Sequence, residues 1–151
     1  MPSNDPVMFK EYWNNPTKTD NTFVEEWMLT GDLAEKDNDG YFWYKSRTDD
    51  VIITSGYRVG PAEVEDTLVE HPAVENAAVV GVEDDGRGQI IKAYVKLLSS
   101  QTPSDDLRED IAAFVKERLA KYEYPRAIEF VEEFPTTVTG KIQRSKLQED
   151  T

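Results

Sequence analysis

Cysteine is absent from this sequence of 151 residues, and histidine occurs only once. The lack of cysteine excludes disulfides and thiol catalysis, and one histidine supplies too few ligands for a structural zinc site. No stretch approaches the roughly 18 consecutive apolar residues of a membrane helix. The first residues, Met-Pro-Ser-Asn-Asp, have neither the basic region nor the apolar core of a signal peptide. We therefore expect a cytoplasmic protein with no metal site of its own and no membrane span.

Positive charge is also scarce, because 17 lysines and arginines stand against 30 aspartates and glutamates, for a formal net charge of −13. The acids are spread along the chain, and nucleic acid is not an expected partner because its phosphates would be repelled. Self-repulsion of this kind strains a compact fold in dilute buffer and is relieved when salt screens it. We favour a halophilic protein as the explanation, with the ordinary surface acidity of a mesophile as the alternative.

The chain has the material for one hydrophobic core, since 38% of its residues are hydrophobic and 11% are aromatic. Its length suits one domain with a core and is too short for two full catalytic domains. The first 30 residues are the least regular part of the chain. No internal repeat or low-complexity run is present, so the organisation must come from turns and periodicity.

Turn signals and apolar patterns divide the first half of the chain. The Asp-Gly turn at residues 37–40 precedes an aromatic run at 41–44 that favours a strand, and residues 51–54 read as a second strand. Pro61 is typical of a first helical position, and Pro72 ends the predicted helix.

The second half continues as strands and one clear helix. Residues 77–82 predict a buried strand, joined by a hairpin to residues 91–97, where apolar and polar side chains alternate as in a half-buried strand. Residues 102–105 have the form of a capping box before a helix. That helix has one apolar stripe, formed by Leu107, Ile111, Phe114, Val115 and Leu119. With a further strand at 127–131, this mixture predicts an α+β fold.

Three segments together resemble the last conserved motifs of the adenylate-forming superfamily. They are Thr30-Gly31-Asp32, residues 45–65 (KSRTDDVIITSGYRVGPAEVE) and residues 135–144 (PTTVTGKIQR). Each segment alone is modest evidence, but their order and spacing over about 115 residues make coincidence remote. The chain is thus similar to the C-terminal domain of an AMP-forming acyl-CoA synthetase. Residues 55–58 and Pro61 favour the acetyl and medium-chain group.

The resemblance implies both a fold and an activity. The fold is the small C-terminal domain of the adenylate-forming enzymes, with short β-hairpins and a small sheet packed with helices. Residues 1–48 would then be the C-terminal remnant of the large N-terminal adenylation domain, and residues 49–151 the mobile C-terminal domain. The implied reaction belongs to fatty acid metabolism: a small carboxylic acid, ATP and coenzyme A (CoA) give acyl-CoA, AMP and diphosphate. Mg²⁺ is expected with ATP, without ligands in this chain.

The resemblance also implies roles on the nucleotide side. Lys141 matches the lysine that reaches the α-phosphate and the acid during adenylation, a role suited to a compact cation on a flexible stem. Asp32 matches the acceptor for the ribose hydroxyls, Arg47 a second contact there, and Arg58 an arginine that meets phosphate. The alternatives are a solvated loop lysine, a turn carboxylate and two surface ion pairs.

Two further positions concern movement and the thiol. Asp49 matches the hinge about which the small domain rotates, although it could merely cap a turn. Gly56, followed by Tyr57, matches the glycine that lets the pantetheine arm of CoA pass close to the backbone, with an ordinary strand-end glycine as the alternative. We assign no chemistry to His71. The aromatic cluster at 42–44 and the 107–119 stripe are interpreted as core.

Several parts of such an enzyme are missing from this chain, including the phosphate-binding loop and the acid pocket. We therefore expect the chain to be inactive alone and to need the large N-terminal domain as its partner. The alternative is a stand-alone module that docks on a separate large domain, or that binds CoA or an acyl carrier without catalysis. The sequence leaves open the identity of the acid and the choice between CoA and a carrier-protein thiol.

Overall fold

The computed structural model describes Val7 and residues 9–149. The chain begins with helix α1 (Pro16–Thr22), which starts after Asn15, whose side chain accepts a hydrogen bond from the Lys18 amide at 3.0 Å. A short hairpin follows, formed by β1 (Phe23–Val24) and β2 (Trp27–Met28). None of the described helices is long and apolar enough to cross a membrane.

A second hairpin consists of β3 (Asp32–Lys36) and β4 (Phe42–Arg47), which pair antiparallel. The predicted turn at 37–40 is confirmed, and the carboxylate of Asp37 organises it. Its Oδ1 accepts from the amides of Asp39 and Tyr41, and its Oδ2 accepts from the indole Nε1 of Trp43 at 2.7 Å.

The interpretation of Phe42, Trp43 and Tyr44 as core is wrong. Their side chains are 71%, 60% and 59% exposed. The two strands form a two-stranded sheet of their own, separate from the five-stranded sheet of the described chain. A high strand preference predicts the strand itself, whereas burial also requires a layer packed on top of it.

The main sheet has five strands: β5 (Ile52–Thr54), β6 (Tyr57–Val59), β7 (Val74–Asp84), β8 (Gly88–Leu97) and β9 (Ala127–Phe130). Strand β8 lies at its centre. One edge of β8 pairs antiparallel with β7, whereas the other pairs with β5 at Gly88 and runs parallel to β9 from Lys92 to Val95. The predicted α+β class and the predicted strands are confirmed.

Helices α2 (Pro61–Val69) and α3 (Asp105–Arg118) cover one face of this sheet. The predicted apolar stripe of α3 is confirmed, since Ile111 and Val115 are fully buried and the other three members pack against the same core. The predicted capping box is wrong by two residues. Ser104 is the N-cap, and its hydroxyl accepts from the Leu107 amide at 3.1 Å. Pro103 holds Thr102 in the extended region, so the helix starts later.

The other face of the sheet is also covered, contrary to the prediction of a half-buried strand at 91–97. Tyr94 is only 3% exposed and packs with Ala78, Val80 and Leu147. Leu147 comes from α4 (Arg144–Glu149), and the Tyr94 hydroxyl donates to its carbonyl oxygen at 2.8 Å. This six-residue helix has too short a pattern to show periodicity in the sequence.

Candidate functional site

Asp32 and Arg47 meet where the β3–β4 hairpin opens. They are paired across the two strands, and Arg47 Nη1 lies 3.0 Å from Asp32 Oδ1 and 3.3 Å from the Thr30 carbonyl oxygen. Gly31 has a φ of +78°, and a Cβ at this position would come within 2.7 Å of Arg47 Nη2. Glycine is therefore needed for both the backbone conformation and the room that the guanidinium occupies. The fold thus brings together the two residues that are expected to contact the ribose.

The same guanidinium reaches the segment that follows β4. Arg47 Nε donates to Asp49 Oδ1 at 3.2 Å. This hydrogen bond, opposed by partial burial and helped by the charges of Asp49, Asp32 and Asp50, raises the pKa of Arg47 above its usual value. The Thr48 amide donates to the Gly31 carbonyl oxygen at 2.8 Å. Asp49 is therefore held to the hairpin, in a turn between β4 and β5.

Gly56 lies in a tight turn between β5 and β6. Ser55 and Gly56 have φ values of +50° and +84°, as in the type I′ turns that join antiparallel strands. A Cβ at Gly56 would meet nothing within 4 Å. The Ser55 amide donates to the Arg87 carbonyl oxygen at 2.9 Å. The glycine is thus required by the backbone, and its outer surface is open to a ligand.

The next two residues point to opposite sides of β6, as neighbours on a strand do. The Tyr57 ring stacks on Tyr122, with centroids 4.1 Å apart and planes inclined by 3°. Arg58 lines a cleft between β4 and α2, where Tyr44 and Glu63 also lie. Arg58 forms no ion pair with any described residue, whereas Arg47 does.

Lys141 belongs to a small closed loop, residues 135–143, which we call the lysine loop. The Thr137 amide donates to the Lys141 carbonyl oxygen at 2.8 Å, and the Lys141 amide donates to the Thr137 hydroxyl at 3.1 Å. Gly140 has a φ of +81°, and Thr136 and Ile142 form a β-bridge. The backbone of Lys141 is thus fixed, while its side chain is exposed. Within the described part of the chain, its amine has no hydrogen-bond or ion-pair partner.

The candidate residues form separate groups on the surface. One group comprises Asp32, Arg47 and Asp49, and a second comprises Gly56 and Tyr57. The lysine loop packs through Ile142 against the sheet face that carries Tyr94, opposite the core of α2 and α3. No hydrogen bond or ion pair between described residues links Lys141 to the other candidates.

One polar network was not predicted from the sequence. Arg144 donates from Nη2 to both Glu65 oxygens, at 2.9 and 2.7 Å, and from Nη1 to Asp50 Oδ2 at 3.4 Å. Burial opposes the charge of Arg144, but the hydrogen bonds and charge of Glu65, together with Asp50, outweigh it and raise the pKa of Arg144. Its signal in the sequence was an arginine three residues after Lys141 and the glutamate that ends residues 45–65.

His71 is buried and serves as a link within the fold. Its Nε2 lies 3.1 Å from Asp110 Oδ2 on α3, and its Nδ1 accepts from the Ala73 amide at 3.2 Å. The ring also packs edge-on against Phe114. It joins the end of α2 to α3, and these contacts account for it without a chemical role.

Residues 63–141 match the family described as the AMP-binding enzyme C-terminal domain. The chain is 49% identical over 143 residues to an uncharacterised acyl-CoA ligase, YtcI, and 50% identical over 144 residues to acetyl-coenzyme A synthetase, both of Bacillus subtilis strain 168. These alignments cover 95% of this chain but 27% and 25% of the two relatives.

A solved structure gives the same picture. The anthranilate CoA ligase AuaEII in complex with anthranoyl-AMP superposes with a TM-score of 0.83 at 46% identity. The superposition covers 92% of this chain and 27% of that one. The chain therefore spans about a quarter of the length of the proteins it matches, and the likeness extends over nearly all of its own length.

Proposed function

Because this chain belongs to the family of AMP-binding enzyme C-terminal domains, we propose that it is the C-terminal part of an AMP-forming acyl-CoA synthetase. The observation that carries the proposal is the exposed amine of Lys141, which a rigid loop presents without any partner in the described chain. A solvated loop lysine needs no such support from its backbone. The likeness to two acyl-CoA ligases over 95% of this chain supports the same conclusion.

In the first step, a carboxylate oxygen of the acid attacks the α-phosphorus of ATP, and the bond to diphosphate breaks. Negative charge grows on the α-phosphate oxygens as the new bond forms. An ammonium group held against these oxygens stabilises the transition state more than the ground state, and this difference accelerates the reaction. Lys141 supplies that group. ATP enters as its Mg²⁺ complex, and the ion belongs to the substrate.

In the second step, the sulfur of CoA attacks the acyl carbon of acyl-AMP, the bond to AMP breaks, and the thiol gives up its proton. Gly56 and Tyr57 lie on the path of the CoA arm in this proposal. The open surface beside Gly56 supports this role, because an extended thiol arm needs close access to the backbone there.

The nucleotide would be held by the other group of residues. Asp32 accepts hydrogen bonds from the ribose hydroxyls, and Arg47 keeps that carboxylate oriented. Arg58 meets phosphate, a role supported by its exposure and by its lack of an ion pair within the described chain. Both arginines present planar guanidinium groups that suit phosphate or carboxylate.

We place the domain boundary between residues 48 and 49, with Asp49 as the hinge and the large N-terminal domain as the partner. The exposed aromatic residues of the β3–β4 hairpin support this boundary, because they form a surface that a second body would cover. The five-stranded sheet begins only at Ile52. We further propose that the enzyme is cytoplasmic and halophilic, belongs to fatty acid metabolism, and acts on an acid of short or medium chain length.

The test is Lys141→Ala in the full-length synthetase, with the two half-reactions measured separately. Acid-dependent release of diphosphate from ATP, with acetate and octanoate as probe acids, should fall by about 100-fold or more, as expected when a transition-state charge partner is lost. Formation of thioester from supplied acyl-AMP should change little. Lys121→Ala, at another exposed turn lysine, is the matched control. Equal losses in both half-reactions would contradict the assigned role of Lys141.

The chain alone provides a second measurement. We expect no acid-dependent diphosphate release from the purified chain in molar potassium chloride with magnesium. Release that disappears with Lys141→Ala would mean that the chain contains a complete adenylation site, and the proposed dependence on a large domain would then be wrong.

A further inference from the structure

Arg144 joins three segments of the chain that are far apart in sequence. It is the first residue of α4 and follows the lysine loop directly. Its guanidinium contacts Glu65 on α2 and Asp50, which lies between β4 and β5. The three side chains are 30%, 15% and 24% exposed, respectively. A bidentate pair in a half-buried place fixes its partners in position far better than an exposed pair does.

Glu65 is held independently of the arginine. Its Oε1 also accepts from the Val79 amide on β7 at 2.8 Å. The carboxylate is therefore anchored to the sheet as well as to its own helix. Arg144 docks on a fixed support, and through it the start of α4 takes a fixed place on the sheet.

The base of the lysine loop depends on the residues next to Arg144. The Gln143 amide donates to the Pro135 carbonyl oxygen at 2.8 Å, and the Gln143 side chain donates to the Thr136 carbonyl oxygen at 2.8 Å. These bonds close the loop just before α4 begins. The placement of the Lys141 backbone thus depends on how the loop joins Arg144.

Two arginine–aspartate ion pairs meet in the segment between the β3–β4 hairpin and the sheet. Arg47 holds Asp49 to the β3–β4 hairpin, as described above. Arg144 holds the next residue, Asp50, to α2 and α4. Two neighbouring residues are therefore paired with arginines from different segments, Asp49 with the end of β4 and Asp50 with the start of α4.

We propose that Arg144 is a positioning residue for Lys141, which ties the base of the lysine loop to Asp50 so that the loop and the sheet turn as one piece. This inference rests on the proposed role of Lys141 in adenylation. In this proposal, the contact with Asp50 marks the start of the segment that rotates with the sheet. The contact with Glu65 fixes the orientation of the lysine loop relative to α2. Loss of either arm leaves the lysine amine displaced from the α-phosphate, and a misplacement of about 1 Å can cost about 100-fold in rate.

The experiment compares Asp50→Asn, Arg144→Gln and the double variant in the full-length synthetase. Asp50→Asn removes the weaker arm and leaves the bidentate pair of Arg144 with Glu65, so this variant keeps the test valid even if Arg144→Gln fails to fold. We expect each single change to lower kcat for acid-dependent diphosphate release by about 10-fold or more, with KM for ATP unchanged. Thioester formation from supplied acyl-AMP should change less than about 2-fold, because it does not use Lys141.

The double variant shows whether the two residues act as a unit. If they do, it loses no more activity than Arg144→Gln alone. The control is Lys96→Gln, which breaks an ion pair in which Lys96 Nζ lies 2.7 Å from Glu75 Oε1. This variant should leave both half-reactions unchanged. Unchanged kcat in Asp50→Asn, additive losses, or equal losses in both half-reactions would overturn the inference.

Lys141→Ala in the same assays separates this inference from the proposed function. If Lys141→Ala abolishes adenylation while Asp50→Asn and Arg144→Gln behave as wild type, only the positioning role is wrong. If Lys141→Ala leaves adenylation intact, the proposed function itself fails.

Discussion

Asp32 Oδ1 lies 3.0 Å from Arg47 Nη1, at the first position of one strand and the last position of its partner. The arginine therefore holds the carboxylate that we assign to the ribose, and Gly31 leaves the room for that contact. If Asp32 binds the ribose as proposed, a small change in the hairpin would reach the nucleotide through this one pair.

Asp32→Asn should weaken nucleotide binding without unfolding the protein. The variant keeps an oxygen acceptor but loses the charge, and a hydrogen bond to a charged group contributes about 1.5–3 kcal/mol. We expect KM for ATP in diphosphate release to rise about 10-fold or more. Asp39→Asn, in the turn of the same hairpin, is the control. An unchanged KM would remove Asp32 from the nucleotide site.

Gly56 allows its fold role and its proposed CoA role to be separated. Gly56→Ala should destabilise the domain by about 1–2 kcal/mol, because a φ of +84° is unfavourable for alanine. Gly56→Asn should keep most of the stability, since asparagine tolerates this region, yet its side chain would occupy the open surface. Thermal unfolding and thioester formation from supplied acyl-AMP measure the two effects. Wild-type thioester formation by the asparagine variant would contradict the proposed path of the thiol.

The turn at residues 37–40 of the β3–β4 hairpin should lose stability in acid. The hydrogen bond from Trp43 is the largest cause that lowers the pKa of Asp37 below its usual 3.8; slight burial opposes it, and the amides of Tyr41, Asp39 and Gly40 add to it. The stabilisation is therefore fully present above pH 3.8 and is lost as pH falls through the lowered value. The Trp43 indole N–H resonance in an NMR titration should report this change. The same titration curve in Asp37→Asn would show that another group is responsible.

Salt should stabilise the chain, which has a net charge of −13. Screening of mutual repulsion should raise Tm between dilute buffer and molar potassium chloride. A variant with Glu109→Gln and Glu117→Gln, at two exposed positions of α3, should gain less from salt because less repulsion remains. An unchanged Tm would contradict the halophilic interpretation.

The sequence predicted best those elements that carry their own local signal. The turn at 37–40, the start of α2 at Pro61 and the stripe of α3 depend on nearby residues, and all three are confirmed. The cover over Tyr94 was not predicted, because α4 offers Leu147 as its one buried residue. The exposure of residues 42–44 was not predicted either, because strand preference says nothing about a covering layer.

In the candidate site too, local motifs were predictable from the sequence, whereas long-range contacts were not. Lys141, Asp32 and Gly56 were found from motifs, which record residue types at fixed spacings. The pairing of Arg144 with Glu65 joins residues 79 positions apart and depends on how α4 lies on the sheet. Contacts of this kind come from tertiary structure, and local patterns do not contain them.

The sheet that separates Ile91 from Tyr94 has side chains packed on both faces. Gly56 lies in the turn between two strands of this sheet, and the lysine loop packs through Ile142 against one of its faces. If residue 49 is the pivot, both are carried through the same angle about the same axis. Adenylation and thioester formation would then use two orientations of the same rotating unit. A ligand that blocks the rotation at Gly56 would also block it at Lys141.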